Sequence, residues 1–221
     1  TLSDPQIADL FAYLASDGPG KVPVKTPGAN PPGSPQVKKP DAKKLKVALI
    51  SGSFEYKSDD SLAAFKKHLE ASYPVECTLV SAKAEKDTSL PGLDALEKCD
   101  VAVFFTRRLQ IEGESLDAVK KYLRSGKPVV GIRTASHGFQ KYLEVDKDVL
   151  GGDYKGHFGA GVAEVKVIEK QKDHPILKGV TAFKTNGSLY KNPNVSDDVT
   201  VLLQGYMGKE SEPVAWVREK D

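Results

Sequence analysis

From Lys46 onward the chain alternates short, continuously apolar runs with amphipathic stretches, and this pattern constrains the fold more than anything else in it. Val47 to Ile50 is apolar throughout and ends in Ser51-Gly52-Ser53. A helical pattern from Asp59 to Ser72 follows, with Leu62, Ala64, Phe65 and Leu69 on one face. Next come a strand Val75 to Val80, a short helix Leu93 to Lys98, a strand Val101 to Thr106, a helix Ser115 to Ser125 and a strand Pro128 to Ile132. A half-exposed sheet would alternate apolar and polar side chains, whereas strands apolar on both faces belong to a parallel sheet with helices on each side. The expected fold class is therefore α/β, a flavodoxin-like doubly wound and mainly parallel sheet. Beyond Gly161 the runs 162–169, 183–185, 199–204 and 214–218 alternate more and are joined by turns, which predicts antiparallel additions or edge strands toward the C-terminus.

Ahead of this domain, assigned to residues 46–221, the chain reads differently. Ser3 and Gln6 form a capping box, Pro5 lies in the first turn, and Ile7, Leu10, Phe11 and Leu14 make one apolar stripe, so residues 1–16 contain a helix that needs a surface to lie against. Residues 17–45 carry Pro19, Pro23, Pro27, Pro31, Pro32, Pro35 and Pro40 among glycines and lysines, with too little apolar surface to fold; they read as a semi-extended linker. Charge follows the same division. The stretch Pro19 to Lys46 holds seven lysines against the single Asp41, so a formal net charge of +2 conceals a remainder of the chain near −4. Basic residues confined to a tether do not make a nucleic-acid surface, and nucleic acid is not an expected partner. No run of 18 apolar residues exists, so no membrane span is expected.

The two cysteines, Cys77 and Cys99, lie at or beside apolar strand patterns with no metal-binding spacing. They read as buried apolar side chains, with a disulfide between them as the alternative.

In an open parallel sheet ligands bind beyond the carboxyl ends of the strands. The first such loop, Gly52-Ser53-Phe54-Glu55-Tyr56, has neither a GxGxxG nor a Walker A pattern and reads as a tight turn. After the third strand stand Arg107 and Arg108; adjacent residues diverge, so one is expected to pair with a carboxylate and the other to reach the cleft, Arg107 being the candidate binding residue. The stretch from Lys127 to Phe139 is a strand running into a sharp turn and then a helix, the geometry that presents a nucleophile in many α/β enzymes. It contains Arg133, Ser136 and His137. His137 and His157 sit among glycines and small polar residues and could share a cleft, as general acid or base. As metal ligands they would need Asp153 or Glu55 as well, and no HxH or HxxxH spacing supports a metal site. Ser136 beside His137 suggests a serine hydrolase only weakly, because adjacent residues rarely present side chains to each other and no GxSxG surrounds them. Tyr154 and Tyr190, with Phe139 and Trp216, could stack on sugar rings or form core. His68 reads as a solvated helix residue, and His174 as the cap of a 3₁₀ turn after it.

Two resemblances sharpen these expectations. The segment L-S-D-x-x-I-A-D-L-x-A-Y-L at residues 2–14 resembles the last helix of a class I cytochrome c domain. That implies a haem c domain upstream of Thr1 as the neighbouring partner in electron transfer, no cofactor held by this chain itself, and a periplasmic or exported location. From residue 46 on, Gly131-Ile132-Arg133-Thr134-Ala135-Ser136-His137, the segments 150–158, 173–179 and 186–191, and Pro213-Val214-Ala215-Trp216 resemble the ThuA-like branch of the class I glutamine amidotransferase superfamily. Amidotransferases place their nucleophilic cysteine directly after the Gly-Ile pair, where this chain has Arg133. A permanently cationic side chain cannot attack an acyl carbon, so glutaminase activity is not expected. The resemblance implies a carbohydrate or oxidised sugar as ligand, with Arg133, His137 and His157 in catalytic roles and Arg107, Ser136, Asp153, Tyr154 and Tyr190 around the substrate. The alternative is a non-catalytic module tethered to the cytochrome. The family pattern also predicts a further strand and helix beyond Asp221.

Overall fold

The computed structural model describes residues 44–219. The expected cytochrome-like helix and nearly all of the linker lie outside the described residues. Eight strands and three helices make up the regular structure: β1 (Leu45–Gly52), α1 (Ser58–Ser72), β2 (Val75–Ser81), α2 (Ala95–Lys98), β3 (Val101–Thr106), α3 (Gly113–Leu123), β4 (Val129–Gly131), β5 (Ala163–Val167), β6 (Phe183–Thr185), β7 (Val199–Met207) and β8 (Glu210–Arg218). They form two four-stranded sheets. The first has the order β2-β1-β3-β4 and is parallel throughout; the second has the order β6-β5-β7-β8 and is antiparallel throughout. The late strands are thus a sheet of their own rather than additions to the first.

Why the early strands lack alternation is visible in where their side chains go. In β1, Val47 and Leu49 join a core with Val101, Val103 and Phe105 of β3, packed by Leu62, Phe65 and Leu69 of α1. The intervening Ala48 and Ile50, with Ala102 and Phe104, enter a second core under Leu96, Leu116, Val119 and Tyr122 of α2 and α3. Both faces of the sheet are therefore dry. Cys77 belongs to the first core and Cys99 to the second, and both are free, so the disulfide alternative is excluded by the sheet between them. Burial pushes the Cys77 thiol up to about 11, which leaves it inert at neutral pH.

The antiparallel sheet has its own smaller core of Val165, Ile176, Leu177, Leu202 and Leu203. Ahead of it, His174 Nδ1 accepts from the Ile176 amide at 3.3 Å, as the 3₁₀ turn Pro175–Leu177 required. One segment that meets the second sheet is a π-helical turn at Asp146–Leu150 that ends on Gly151 with φ +74°. There the Trp216 indole donates to the Leu150 carbonyl at 2.6 Å. Arg218 Nη1 reaches the carbonyls of Lys147, Asp148 and Val149 at 3.1, 2.9 and 3.2 Å, while its Nε pairs with Asp198 at 2.8 Å. The orphan carbonyls at the end of a helical turn thus receive their donors from the last strand of the other sheet.

Removing those donors exposes the carbonyls' need for partners. Arg218→Ala is expected to lower stability by about 1–3 kcal/mol in urea unfolding, and Arg218→Lys to restore only part, since an ammonium lacks the planar fork. An unchanged midpoint for the alanine variant would contradict this account of the join.

Candidate functional site

The carboxyl ends of β1, β3 and β4 meet where the second sheet folds over the first. The loop after β1 is held internally: the Ser58 hydroxyl accepts from the amides of Gly52 and Ser53 at 3.2 and 2.8 Å, and Ser53 Oγ accepts from Thr134 at 3.0 Å. Those amides are occupied, consistent with a tight turn rather than a phosphate cradle.

After β4 the chain passes extended Ile132 into Arg133 at φ +44°, then into a 3₁₀ turn, Arg133–His137, in place of the longer helix the sequence suggested. A non-glycine residue in the left-handed region costs free energy and marks a constrained corner. That corner aims Arg133 not into open space but between two rings. Its guanidinium carbon lies 4.8 Å from the Tyr56 ring centre and 4.4 Å from that of Tyr190. Nη2 bonds to Tyr56 Oη, Ser188 Oγ and the Ser188 carbonyl at 3.1, 3.1 and 3.3 Å, and the buried Nε has no partner.

The arginine pair after β3 divides as the sequence required, but with the roles reversed. Arg107, the residue favoured for binding, is paired with Glu55 at 2.9 Å and Glu85 at 3.1 Å. Arg108, at φ +47°, turns toward a depression of about 230 Å³ lined also by Ser136, His137, Gln140, Leu143, Asp146 and Tyr154. Its amide bonds to the His137 carbonyl at 2.8 Å, and Leu109 bonds to Gly138 at 2.9 Å, so the β3 loop and the 3₁₀ turn are laced together. Gly138 allows this closeness, because a Cβ there would stand 2.3 Å from Thr106 Oγ1.

His137 is 7 % exposed and stacks on Tyr154 with ring centres 4.4 Å apart and planes 16° apart; Tyr154 in turn lies 4.7 Å from Tyr190. Burial, then the charges of Arg108, Arg107 and Arg133, push the imidazole down to about 4, so it is neutral at physiological pH. Ser136 Oγ does lie 3.0 Å from His137 Nδ1, against the expectation for neighbouring residues; the tight 3₁₀ winding turns the two side chains together. A base of such low affinity for protons is nevertheless a weak activator of a hydroxyl.

The residue that sequence reasoning missed is Asp146. It is 7 % exposed, its Oδ2 accepts from the Tyr154 amide at 2.8 Å, and its Oδ1 has no partner. Burial raises its pKa. Gly152 lies so close that a Cβ would sit 2.2 Å from Oδ1. Neither Asp153 nor His157 lines the depression. Asp153 is held by Lys155 at 2.8 Å and Asn194 at 3.0 Å, and exposed His157 bonds Nδ1 to the Phe158 carbonyl at 2.8 Å, its ring 6.4 Å from Tyr190. Ser136, His137 and Tyr154 are therefore brought together, with Arg133 and Tyr190 adjoining. Among the described residues no group of three or more His, Cys, Asp or Glu side chains is placed to hold a metal ion. A larger groove, about 350 Å³, runs beside β2 and α2 and is lined by no histidine, arginine or tyrosine.

This constellation sits within a match to known proteins. A family model described as ThuA, trehalose utilisation, matches residues 46–221. The chain belongs to the ThuA family. Among solved structures, a ThuA-like protein from Parabacteroides merdae superimposes with a TM-score of 0.61 at 19 % identity, covering 80 % of this chain and 76 % of that one. A ThuA-like protein from Bacteroides uniformis does so with 0.58 at 17 % identity, covering 84 % and 82 %. At such identities the ThuA relatives speak for the fold alone. No curated protein matches significantly. Among the described residues of this ThuA domain no helix is long and apolar enough to cross a membrane.

His137 supplies a direct check on the site's electrostatics. Its folded value lies below the unfolded 6.5, so as pH falls the unfolded chain binds the proton first and the native state loses stability from about 6.5 down to about 4. The full loss is at most about 3 kcal/mol. We expect NMR titration to place the imidazole near 4 and Arg108→Ala to raise it, and the stability difference between wild type and His137→Gln to change across that window. A midpoint near 6.5 in the native protein would refute the buried, arginine-flanked environment.

Proposed function

We propose that this ThuA domain binds a carbohydrate in the depression beyond the carboxyl ends of β3 and β4 and that Asp146 is the proton-transferring group there. The observation carrying this reading is the buried, half-satisfied Asp146 carboxyl beside the Tyr154–His137 stack. Burial brings a carboxyl closer to the range in which it can both give and take a proton. An aromatic face next to polar donors suits a sugar, which has one apolar face and a rim of hydroxyls. The volume is below the roughly 300 Å³ at which drug-sized pockets begin, so the fit is to about one sugar ring. The family's description, trehalose utilisation, supports a sugar-related role. The strand order β2-β1-β3-β4 supports the flavodoxin-like assignment of the parallel sheet, and Arg133 at the elbow supports the loss of glutaminase chemistry.

On the same reading the domain works beside a haem c domain outside the cytoplasm, with the proline-rich stretch as tether; the support for this is the likeness of residues 2–14 to a cytochrome c helix. The second reading, a module that binds without catalysing, is favoured by one observation. Arg133, which stands where the superfamily's nucleophile would be, spends its Nη2 on Tyr56 and Ser188.

Calorimetric binding of a panel of sugars and keto-sugars tests the proposal. Tyr154→Ala is expected to weaken binding about tenfold, equivalent to about 1.4 kcal/mol. Asp146→Asn is expected to abolish any turnover while retaining binding, and His157→Ala to match wild type. Absence of binding across the panel, or a Tyr154→Ala variant indistinguishable from wild type, would sink the carbohydrate reading; binding without turnover selects the non-catalytic one.

A further inference from the structure

We infer that the carbohydrate taken by this site is an acidic one, a uronic or aldonic acid, whose carboxylate is held by Arg108. The inference rests on the carbohydrate reading above and adds a charge to it.

It comes from following each charge around the depression to its partner. Arg107 is neutralised on two sides, by Glu55 at 2.9 Å and Glu85 at 3.1 Å. Arg133 has no carboxylate, but its charge is spread over the faces of Tyr56 and Tyr190 and onto the oxygens of Ser188. Arg108 has neither arrangement. Among the described residues its guanidinium makes no ion pair, hydrogen bond or ring contact, and yet it lines the cavity. Its position is not accidental. The backbone is held at φ +47°, a conformation unfavourable for a side chain of this size, and the 2.8 Å bond from its amide to the His137 carbonyl fixes it there. Arg108 is exposed, so water satisfies its planar fork in the free protein, and at the mouth of a polar cavity the solute group that best replaces that water is a carboxylate, which can take two parallel N–H donors at once.

The remaining lining groups accommodate an anion. His137 is uncharged but can still donate or accept one hydrogen bond, and Ser136 and Gln140 are neutral. The single acid among them, Asp146, is buried to 7 % exposure with Oδ1 unpartnered, and burial favours its protonated form. That burial, with the Tyr154 amide donating to Oδ2, weakens the repulsion this carboxyl would exert on an anion across the cavity. The lining thus offers one solvent-accessible permanent cation at the rim and one buried carboxyl deeper in, so an anionic group is favoured at the Arg108 end of the cavity.

The test is calorimetric binding to the whole chain of D-glucuronate, D-galacturonate and D-gluconate, set against D-glucose, D-galactose and acetate. At least one sugar acid is expected to bind tenfold or more tightly than its neutral counterpart and than acetate. Arg108→Gln should bring the acid-to-neutral ratio near one, Arg108→Lys should keep part of it, and rising salt should reduce it in wild type. Circular dichroism of both variants confirms that each is folded. Equal affinity for acids and neutral sugars, or a preference that survives in Arg108→Gln, overturns the acidic assignment and leaves the carbohydrate reading intact. Acetate binding as tightly as the sugar acids, or no binding by any member, overturns both.

Discussion

A half-buried guanidinium with no carboxylate partner among the described residues organises this molecule. Arg133 sits at the end of β4 in a left-handed backbone conformation and extends between Tyr56, from the loop after β1, and Tyr190, from the segment that precedes β7. Taking a cation out of water is expensive unless something replaces the water. Here two aromatic faces and the oxygens of Ser188 and Tyr56 do so, and cation–π contact of this kind is strongest where it is desolvated. One side chain therefore ties its own turn to two other parts of the chain. The aromatic row that continues from Tyr190 through Tyr154 to His137 is anchored at that end.

The same cation gives the strand-to-turn corner a structural use. A strand-to-turn corner with positive φ exposes whatever side chain occupies it. An arginine is long enough to reach Ser188 and Tyr190 in the segment between β6 and β7. The strain at the corner then serves the join between sheets, and the polar groups free for a ligand lie one turn further on, at Ser136 and His137, and across the cavity, at Arg108 and Asp146.

The parallel sheet was legible because burial on both faces removes alternation, and β3 matches its expected bounds to the residue. The antiparallel sheet was legible as strands but not as a separate sheet. Runs were expected to stop at Gln204 and resume at Val214, while β7 continues to Met207 and β8 begins at Glu210 across a turn containing Gly208 at φ +62°. Half-exposed strands carry polar residues such as Glu210 and Ser211, and Pro213 interrupts the pattern further. Ser136, His137 and Tyr154 could be found because a strand end or a glycine-rich segment marks them. Asp146 could not, since Glu144, Asp146, Lys147 and Asp148 look alike as solvated charges, and what covers one of them is the Gly151–Tyr154 segment folding back onto its carboxyl. Nor could Arg107 be told from Arg108, because their opposite directions come from a backbone angle that composition does not encode.

Gly152 holds the last consequence. Its α-carbon leaves no room for even one methyl group beside Asp146 Oδ1, yet it is not among the glycines with positive φ. The demand at this position is therefore for empty space rather than for an unusual backbone. An alanine would be tolerated by the main chain and refused by the carboxyl, so the geometry of the proton-bearing group can be altered without deleting it or changing any charge. In a divergent family, a side chain at this one position would mark members in which the Asp146 carboxyl cannot sit as it does here.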